Sequence, residues 1–361
     1  MFPTIDRSLS PPALIFRLVL ILVLLGGAAG LFLYQAGWFT PQKLTPAGMI
    51  NTFEQLNGVH SGFRRNHAKG VCFRGYFESN GQGARYSKAA LFPAGRVPVI
   101  GRFSLGGGQP YAADSPGAVR ALAVLFQLPN GEEWRMAMID LPVFPVQNVG
   151  QFRELLLASA PDPETGKVDP EKMKSFVAAH PASAKALPLI QARAVSSGFA
   201  DATYFGLSAF YFVDGQGRRT PVRWAMIPEQ PFRPNETSDP EKTDKNYLFD
   251  ALIAAVRQGP QRWRLQVTLG EPGDPTGDAT IPWPDSRQKV DVGVLVVEAI
   301  ESEEVSPARD INFDPTLIPS GVALSDDPLL SARAAAYSQS FTRREGEPKE
   351  PSAVSTAETG R

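Results

Sequence analysis

The chain is poor in cysteine and histidine and has no excess of either charge. One cysteine, Cys72, in 361 residues rules out an intramolecular disulfide framework. Lys+Arg total 36 and Asp+Glu 37, a formal net charge of −1, so neither a basic face for nucleic acid nor an acidic tail is implied. The three histidines are His60, His67 and His180. No internal repeat is visible. The Gly-rich stretch LGGGQP (105–110) lacks the Lys-Ser/Thr pair of a phosphate loop. GEPGDPTGD (270–278) has the wrong spacing for an EF-hand and reads as an acidic surface loop. Cys72 falls inside a predicted strand and reads as packing; His60 reads as a capping or surface residue and His180 as exposed.

Apolar residues make up 43% of the chain, enough for a sizeable core in one large domain or two ordinary ones. The 32 glycines and 33 prolines favour many turns and few very long helices. One long apolar run does occur, ALIFRLVLILVLLGGAAGLFLY (13–34), with Arg17 as its only charge. Its length suits a spanning helix, expected over 13–37. GGAAG leaves a removed signal peptide as the alternative. Arg7 and Arg17 lie on its N-terminal side, so the positive-inside tendency favours a cytoplasmic segment 1–12 and a main domain facing the periplasm or exterior.

A tether over 38–45 leads to a short helix within 45–58, entered at Thr-Pro. Runs rich in Val, Phe and Leu predict strands near 70–79, 97–105, 119–128, 132–139, 203–213, 219–227, 261–269 and 291–300. PNG (129–131) and VDGQGRR (213–219) mark hairpins. Residues 148–195 and 239–259 read as helical. Eight strands with helical insertions fit a closed antiparallel barrel of the α+β class, spanning 46–344. The polar, Pro-containing segment 345–361 is expected to be disordered.

Two patterns carry chemistry. RRNHAKG (64–70) sets His67 among cations. By itself that reads more readily as a hydrogen-bonded structural histidine than as a catalytic one. DDPLLSARAAAYSQSFTRR (326–344) has Pro at a helix first turn and strong helix formers after it. There Arg333 and Tyr337, four apart, share one face. A guanidinium beside a phenol favours the phenolate, a hard anionic ligand for ferric iron. An isolated pair of this kind is more simply a cation–π contact.

These stretches resemble the haem catalase family, specifically its short catalase-related peroxidases, in motif order across most of 45–344. RRNHAKG is similar to the family's distal-histidine segment and GRFS (101–104) to the next. VRALAVLFQLPNGEEWRMAMIDLPVF (119–144) resembles the strand pair ending at a distal amide. INFDPTLIPSGVALSDDPLLSARAAAY (311–337) resembles the proximal segment. The resemblance implies haem b, with Tyr337 as axial iron ligand and Arg333 beside it. It also implies His67 as proton carrier for peroxide, oriented by Ser104. Arg64, Arg102 and Arg344 would meet the haem propionates, and Phe152 would stack on the ring. The chain departs from the family at Asn66, where valine is usual, and at Asp140, where asparagine orients peroxide. Full-length catalases add a long N-terminal arm and a C-terminal helical domain, which are not expected here, so neither tight tetramer wrapping nor a nicotinamide site is expected; an oligomer remains compatible.

The implied reaction is reduction of hydrogen peroxide or an organic hydroperoxide by a small-molecule electron donor, with weak catalase activity. Rearrangement of a fatty hydroperoxide in the same pocket, or a non-catalytic haem carrier, are the rival readings.

Overall fold

The computed structural model describes residues 11–36, 38, 44–162, 164–235 and 245–356, which form two units. In the first unit, helix α1 (Pro11–Gln35) runs for 25 residues with a mean hydropathy of 2.5 in its apolar window. At 1.5 Å per residue it reaches about 37 Å, longer than the ~30 Å hydrocarbon core. It is the one helix among the described residues long and apolar enough to cross a membrane. It lies two residues earlier than expected. Residues 1–10 and most of the expected tether, 39–43, lie outside the described residues.

The second unit begins within α2 (Pro46–Asn57) and is built on ten strands. These are β1 (Gly70–Ser79), β2 (Gly95–Leu105), β3 (Arg120–Gln127), β4 (Glu133–Ile139), β5 (Tyr204–Phe205), β6 (Phe210–Val213), β7 (Arg219–Pro228), β8 (Gln261–Leu269), β9 (Lys289–Glu301) and β10 (Val322–Leu324). The sheet runs β10-β6-β7-β5-β4-β3-β2-β1-β9-β8, and β7 also pairs with β8. That last pairing closes a ring of eight antiparallel strands, which removes the exposed edges of an open sheet. The ring is the barrel expected from the eight runs. The run at 203–213 forms two strands, broken where Leu207 adopts a left-handed φ of 64°. β6 and β10 form a short annex on β7.

Strand alternation sorts the side chains into two sets. Phe103, Leu122, Phe126, Trp134, Met136 and Trp263 belong to one aromatic-rich core cluster. Their neighbours on the opposite face of the same strands, Ile100, Ala123, Leu125 and Ala137, pack instead with Ala308 and Phe313. The barrel interior is therefore filled, and any ligand space lies outside the β2–β4 wall.

The helices are α3 (Val149–Ala158), α4 (Pro170–Ala179), α5 (Pro181–Gln191), α6 (Tyr247–Gln258) and α7 (Pro328–Glu345); α3 and α7 line the space outside that wall, whereas α6 adds Leu248, Phe249 and Leu252 to the aromatic-rich core cluster. Of the helix expected at 239–259, residues 239–244 lie outside the described residues.

The tail corrects an expectation. Residues 345–356 do not hang free. The Glu347 carboxylate accepts from Arg65 Nη1 at 2.9 Å and Gly62 N at 2.9 Å, and Val354 is fully buried. A polar segment can dock when its charges find buried partners, and composition does not reveal those partners. Residues 357–361 lie outside the described residues.

Candidate active site

One cavity of about 850 Å³ gathers His67, Ser104, Arg64, Arg102, Arg333, Tyr337, Arg344 and Phe152 in its lining. Its floor is the outer face of the barrel. Arg102 and Ser104 are two apart on β2 and so point the same way. Ala121 and Ala123 on β3 and Ala137 on β4 line the same cavity, and their small side chains leave room above the sheet.

α7 supplies the phenol. Asp327 caps it by accepting from Leu329 N at 2.9 Å, and Pro328 occupies its first turn. One turn along, Arg333 Nη2 donates to Tyr337 Oη at 3.2 Å and to Ala137 O at 3.1 Å. The guanidinium carbon also lies 5.6 Å from the Tyr337 ring centroid. The Ala137 contact ties this pair to the cavity floor.

The loop before β1 supplies the imidazole. His67 has a left-handed φ of 57°, uncommon for a residue with a Cβ. Asn66 Oδ1 accepts from His67 N at 3.0 Å and Gly107 N at 2.8 Å, which fixes that turn. Ser104 Oγ lies 3.4 Å from His67 Nδ1, a long contact. Burial first, then Arg102, Arg333 and Arg64, push the imidazole down to about 3. His67 is therefore neutral across the physiological range.

Three guanidiniums complete the lining. Arg102 donates through Nη1 to His67 O at 2.8 Å and through Nη2 to Ala68 O at 2.9 Å, and its Nε meets Glu303 Oε1 at 2.6 Å. Gly70 makes room for it: a Cβ there would sit 2.4 Å from the Arg102 guanidinium carbon. Arg64 Nη2 donates to Ala308 O at 3.2 Å and Ile311 O at 2.9 Å. Burial, and then Arg102 and Arg344, hold its pKa well below the usual arginine value. Arg344 Nη1 donates to Arg309 O at 2.9 Å, and burial lowers it to about 10. Phe152, on α3, packs 6.2 Å from Phe53 and 5.4 Å from Phe144, centroid to centroid.

Asp140 is not brought to the cavity. It is absent from the cavity lining and follows directly on the last residue of β4, Ile139. Its Oδ1 accepts from Arg120 N at 3.0 Å, and its Oδ2 lies 3.5 Å from Arg120 Nη1. Burial raises its pKa and Arg120 opposes that rise. The expected peroxide-orienting role has no geometric basis here.

Sequence reasoning missed Glu303, 2% exposed behind Arg102 and Arg64. It also missed Arg65, 4% exposed and held by Glu54 at 2.8 Å and by Glu347. Two adjacent arginines cannot both face one cavity, and that was the available signal for Arg65. His180 was expected exposed; its Nε2 donates to Glu154 Oε2 at 2.8 Å and its ring packs 4.5 Å from that of Phe176. His60 caps α2 through Asn57 O at 3.0 Å. Cys72 is buried in β1, and burial pushes its thiol up to about 11.

A closed antiparallel barrel whose outer face carries a neutral buried imidazole and an arginine-backed phenol defines a peroxide-acting oxidoreductase. The family model for catalase matches residues 36–351, and the chain belongs to the catalase family. It is 35% identical over 306 residues to the catalase-related peroxidase of Synechococcus elongatus, covering 85% of this chain and 90% of that protein. The catalase-related peroxidase of Mycolicibacterium paratuberculosis is 31% identical, with 84% and 96% covered. The catalase of Glandirana rugosa is 28% identical over 78% of this chain, which spans 56% of that enzyme. Among solved structures, a bacterial catalase matches with a TM-score of 0.70 and 21% identity, over 84% of this chain and 62% of that one. A fungal catalase gives a TM-score of 0.71 at 18% identity, over 83% and 63%.

Proposed function

We propose that the chain is a haem-dependent peroxidase that reduces hydrogen peroxide or an organic hydroperoxide at the expense of a small organic donor. The overall balance is ROOH + 2e⁻ + 2H⁺ → ROH + H₂O, with both electrons from the donor. The observation that carries this reading is a buried imidazole held neutral in the same cavity as an arginine-backed phenol. The cavity residues fit haem b. A phenolic oxygen suits ferric iron, and buried guanidiniums with N–H groups to spare suit two carboxylates. Haem, when bound, supplies the iron at which the peroxide O–O bond breaks.

Tyr337 Oη would hold that iron, with Arg333 Nη2 donating to the same oxygen. Arg64, Arg102 and Arg344 would bind the propionates, and Phe152 would pack against the ring. His67 takes the proton from the terminal peroxide oxygen and returns it to the leaving oxygen, acting as base and then acid. Ser104 orients the ring at Nδ1. A carrier needs neither His67 nor Ser104, and a rearrangement consumes no donor, so product analysis with and without donor separates those rivals. The decisive experiment is an optical spectrum of protein purified with haem. A high-spin ferric tyrosinate-type spectrum that changes on adding peroxide supports the reading; a low-spin bis-histidine spectrum refutes it.

We also propose that α1 is an uncleaved anchor with the catalytic domain outside the cytoplasm, on the strength of Arg7 and Arg17 before its apolar run. Protease added to intact spheroplasts should then digest the domain. Protection until lysis would reverse the orientation.

A further inference from the structure

Three buried guanidiniums sharing one cavity wall repel one another, and Glu303 is the buried group that offsets this. It is absent from the cavity lining and 2% exposed. Oε1 lies 2.6 Å from Arg102 Nε and 3.6 Å from Arg64 Nη1, while Oε2 is buried without a hydrogen-bond partner. The other acid nearby, Asp310, lies 3.6 Å from Arg344 but is half exposed and already paired with Lys349. The three guanidiniums assigned to the propionates (Arg64, Arg102, Arg344) and Glu303 together leave two positive charges, while the cavity's fourth guanidinium, Arg333, is held apart at Tyr337 Oη and Ala137 O.

We propose that Glu303 sets the charge of a dicarboxylate socket: it cancels one guanidinium and aims Arg102 and Arg64, leaving two positive charges to match the two propionates of haem. This rests on the haem reading above. The hydrogen bonds of Arg102 fit the role. A guanidinium has five N–H groups. One goes to Glu303, one to His67 O and one to Ala68 O, which leaves one on each terminal nitrogen for a ligand. Donors on both terminal nitrogens thus stay available to a carboxylate. Glu303 is thus a positioning residue that acts through the arginines. Buried charge is poorly screened, so one uncompensated positive charge there must be felt at the iron.

The test is the ferric/ferrous midpoint potential of the haem-loaded full chain. Glu303→Gln keeps the shape and removes the charge, so the potential should rise. Glu303→Asp keeps the charge and should stay near the wild-type potential, although the shorter reach should speed haem release to an acceptor apoglobin. Wild-type protein loaded with haem monomethyl ester carries the same single excess of positive charge as Glu303→Gln, so its potential should also rise. An unchanged potential in Glu303→Gln, or an equal shift in Glu303→Asp, overturns the proposal. Should Glu303→Gln not fold, the monoester decides: no rise overturns it. A wild-type protein that takes up no haem sinks the haem reading as well, whereas loading without these shifts sinks only the role of Glu303.

Discussion

The Tyr337 helix and the His67 loop reach the same cavity by opposite means. α7 is regular, capped at Asp327, and brings Arg333 and Tyr337 together by their i,i+4 spacing alone. The loop at 62–68 has no repeating backbone bonds. His67 sits at φ 57°, a conformation that costs an L residue about 1–2 kcal/mol. The loop is held by side chains from elsewhere: Glu54 on α2 and Glu347 on the tail grip Arg65, and Pro348 O accepts from Ser61 Oγ at 2.9 Å. Local rules place the phenol and long-range bonds place the imidazole. The two ends of the site should therefore fail differently when perturbed.

The sharpest break is at the helix. Tyr337→Phe removes the phenolic oxygen and leaves α7 intact, because the phenol takes no part in the helix backbone. Haem retention and activity should both collapse while the circular dichroism spectrum of the barrel is kept. A variant with wild-type haem content and rate would show that α7 does not carry the ligand.

His67→Ala should do the converse. On the proposed reading haem should stay bound, because Tyr337 and three arginines would still hold it, and reaction with peroxide should slow by about 10²–10⁴, the usual share of general acid–base catalysis. Stopped-flow mixing reads this directly. Slowing by less than threefold would remove His67 from the proton path.

The loop should also set the acid limit of the fold. Above pH ~6.5 both folded and unfolded chains hold His67 neutral. Below it only the unfolded chain takes up the proton, until the folded value of about 3 is reached. Stability should fall as pH drops through this window, by up to about 1.4 kcal/mol per unit. His67→Gln should flatten that slope, as measured by urea melts at pH 7 and pH 5. The peroxide reaction should show no inflection near pH 6.5, because the base is already neutral there.

The tail offers a gentler perturbation. Glu347→Ala leaves Arg65 with Glu54 as its remaining carboxylate and should cost about 1–3 kcal/mol. Hydrogen exchange should rise in residues 61–68 and not in α7. Equal loosening of both would mean that the two ends are not held independently.

The same contrast explains what was legible in the sequence. Runs rich in Val, Phe and Leu between turn residues revealed all eight barrel strands, and i,i+4 spacing with a Pro first turn revealed the Arg333–Tyr337 pair. Resemblance supplied Arg64, Arg102, Arg344 and Phe152, and the structure gathers all four in one cavity. Glu303 and the Glu347 latch were illegible, because they act across about 200 and 280 residues of chain and belong to no periodic pattern. The docked tail was misread for the same reason. That the barrel interior is filled could have been read from the strands, whose inward positions carry Phe103, Trp134 and Trp263.

Asp140 is where family resemblance and the observed geometry give opposite answers, and it carries the smallest expected effect. If the residue faced peroxide, replacing it with asparagine would convert an acceptor into a donor and alter how peroxide is oriented. Geometry places its carboxylate on Arg120, taking the backbone N–H at 3.0 Å and lying 3.5 Å from Nη1. An amide oxygen can still accept from that backbone N–H, so Asp140→Asn should keep the loop closed. It gives up the charge opposite a fully buried Arg120, so some stability should be lost. The ratio of oxygen evolution to donor oxidation should stay within twofold of wild type. A severalfold rise in that ratio would mean that the side chain leaves Arg120 and reaches the cavity when peroxide binds.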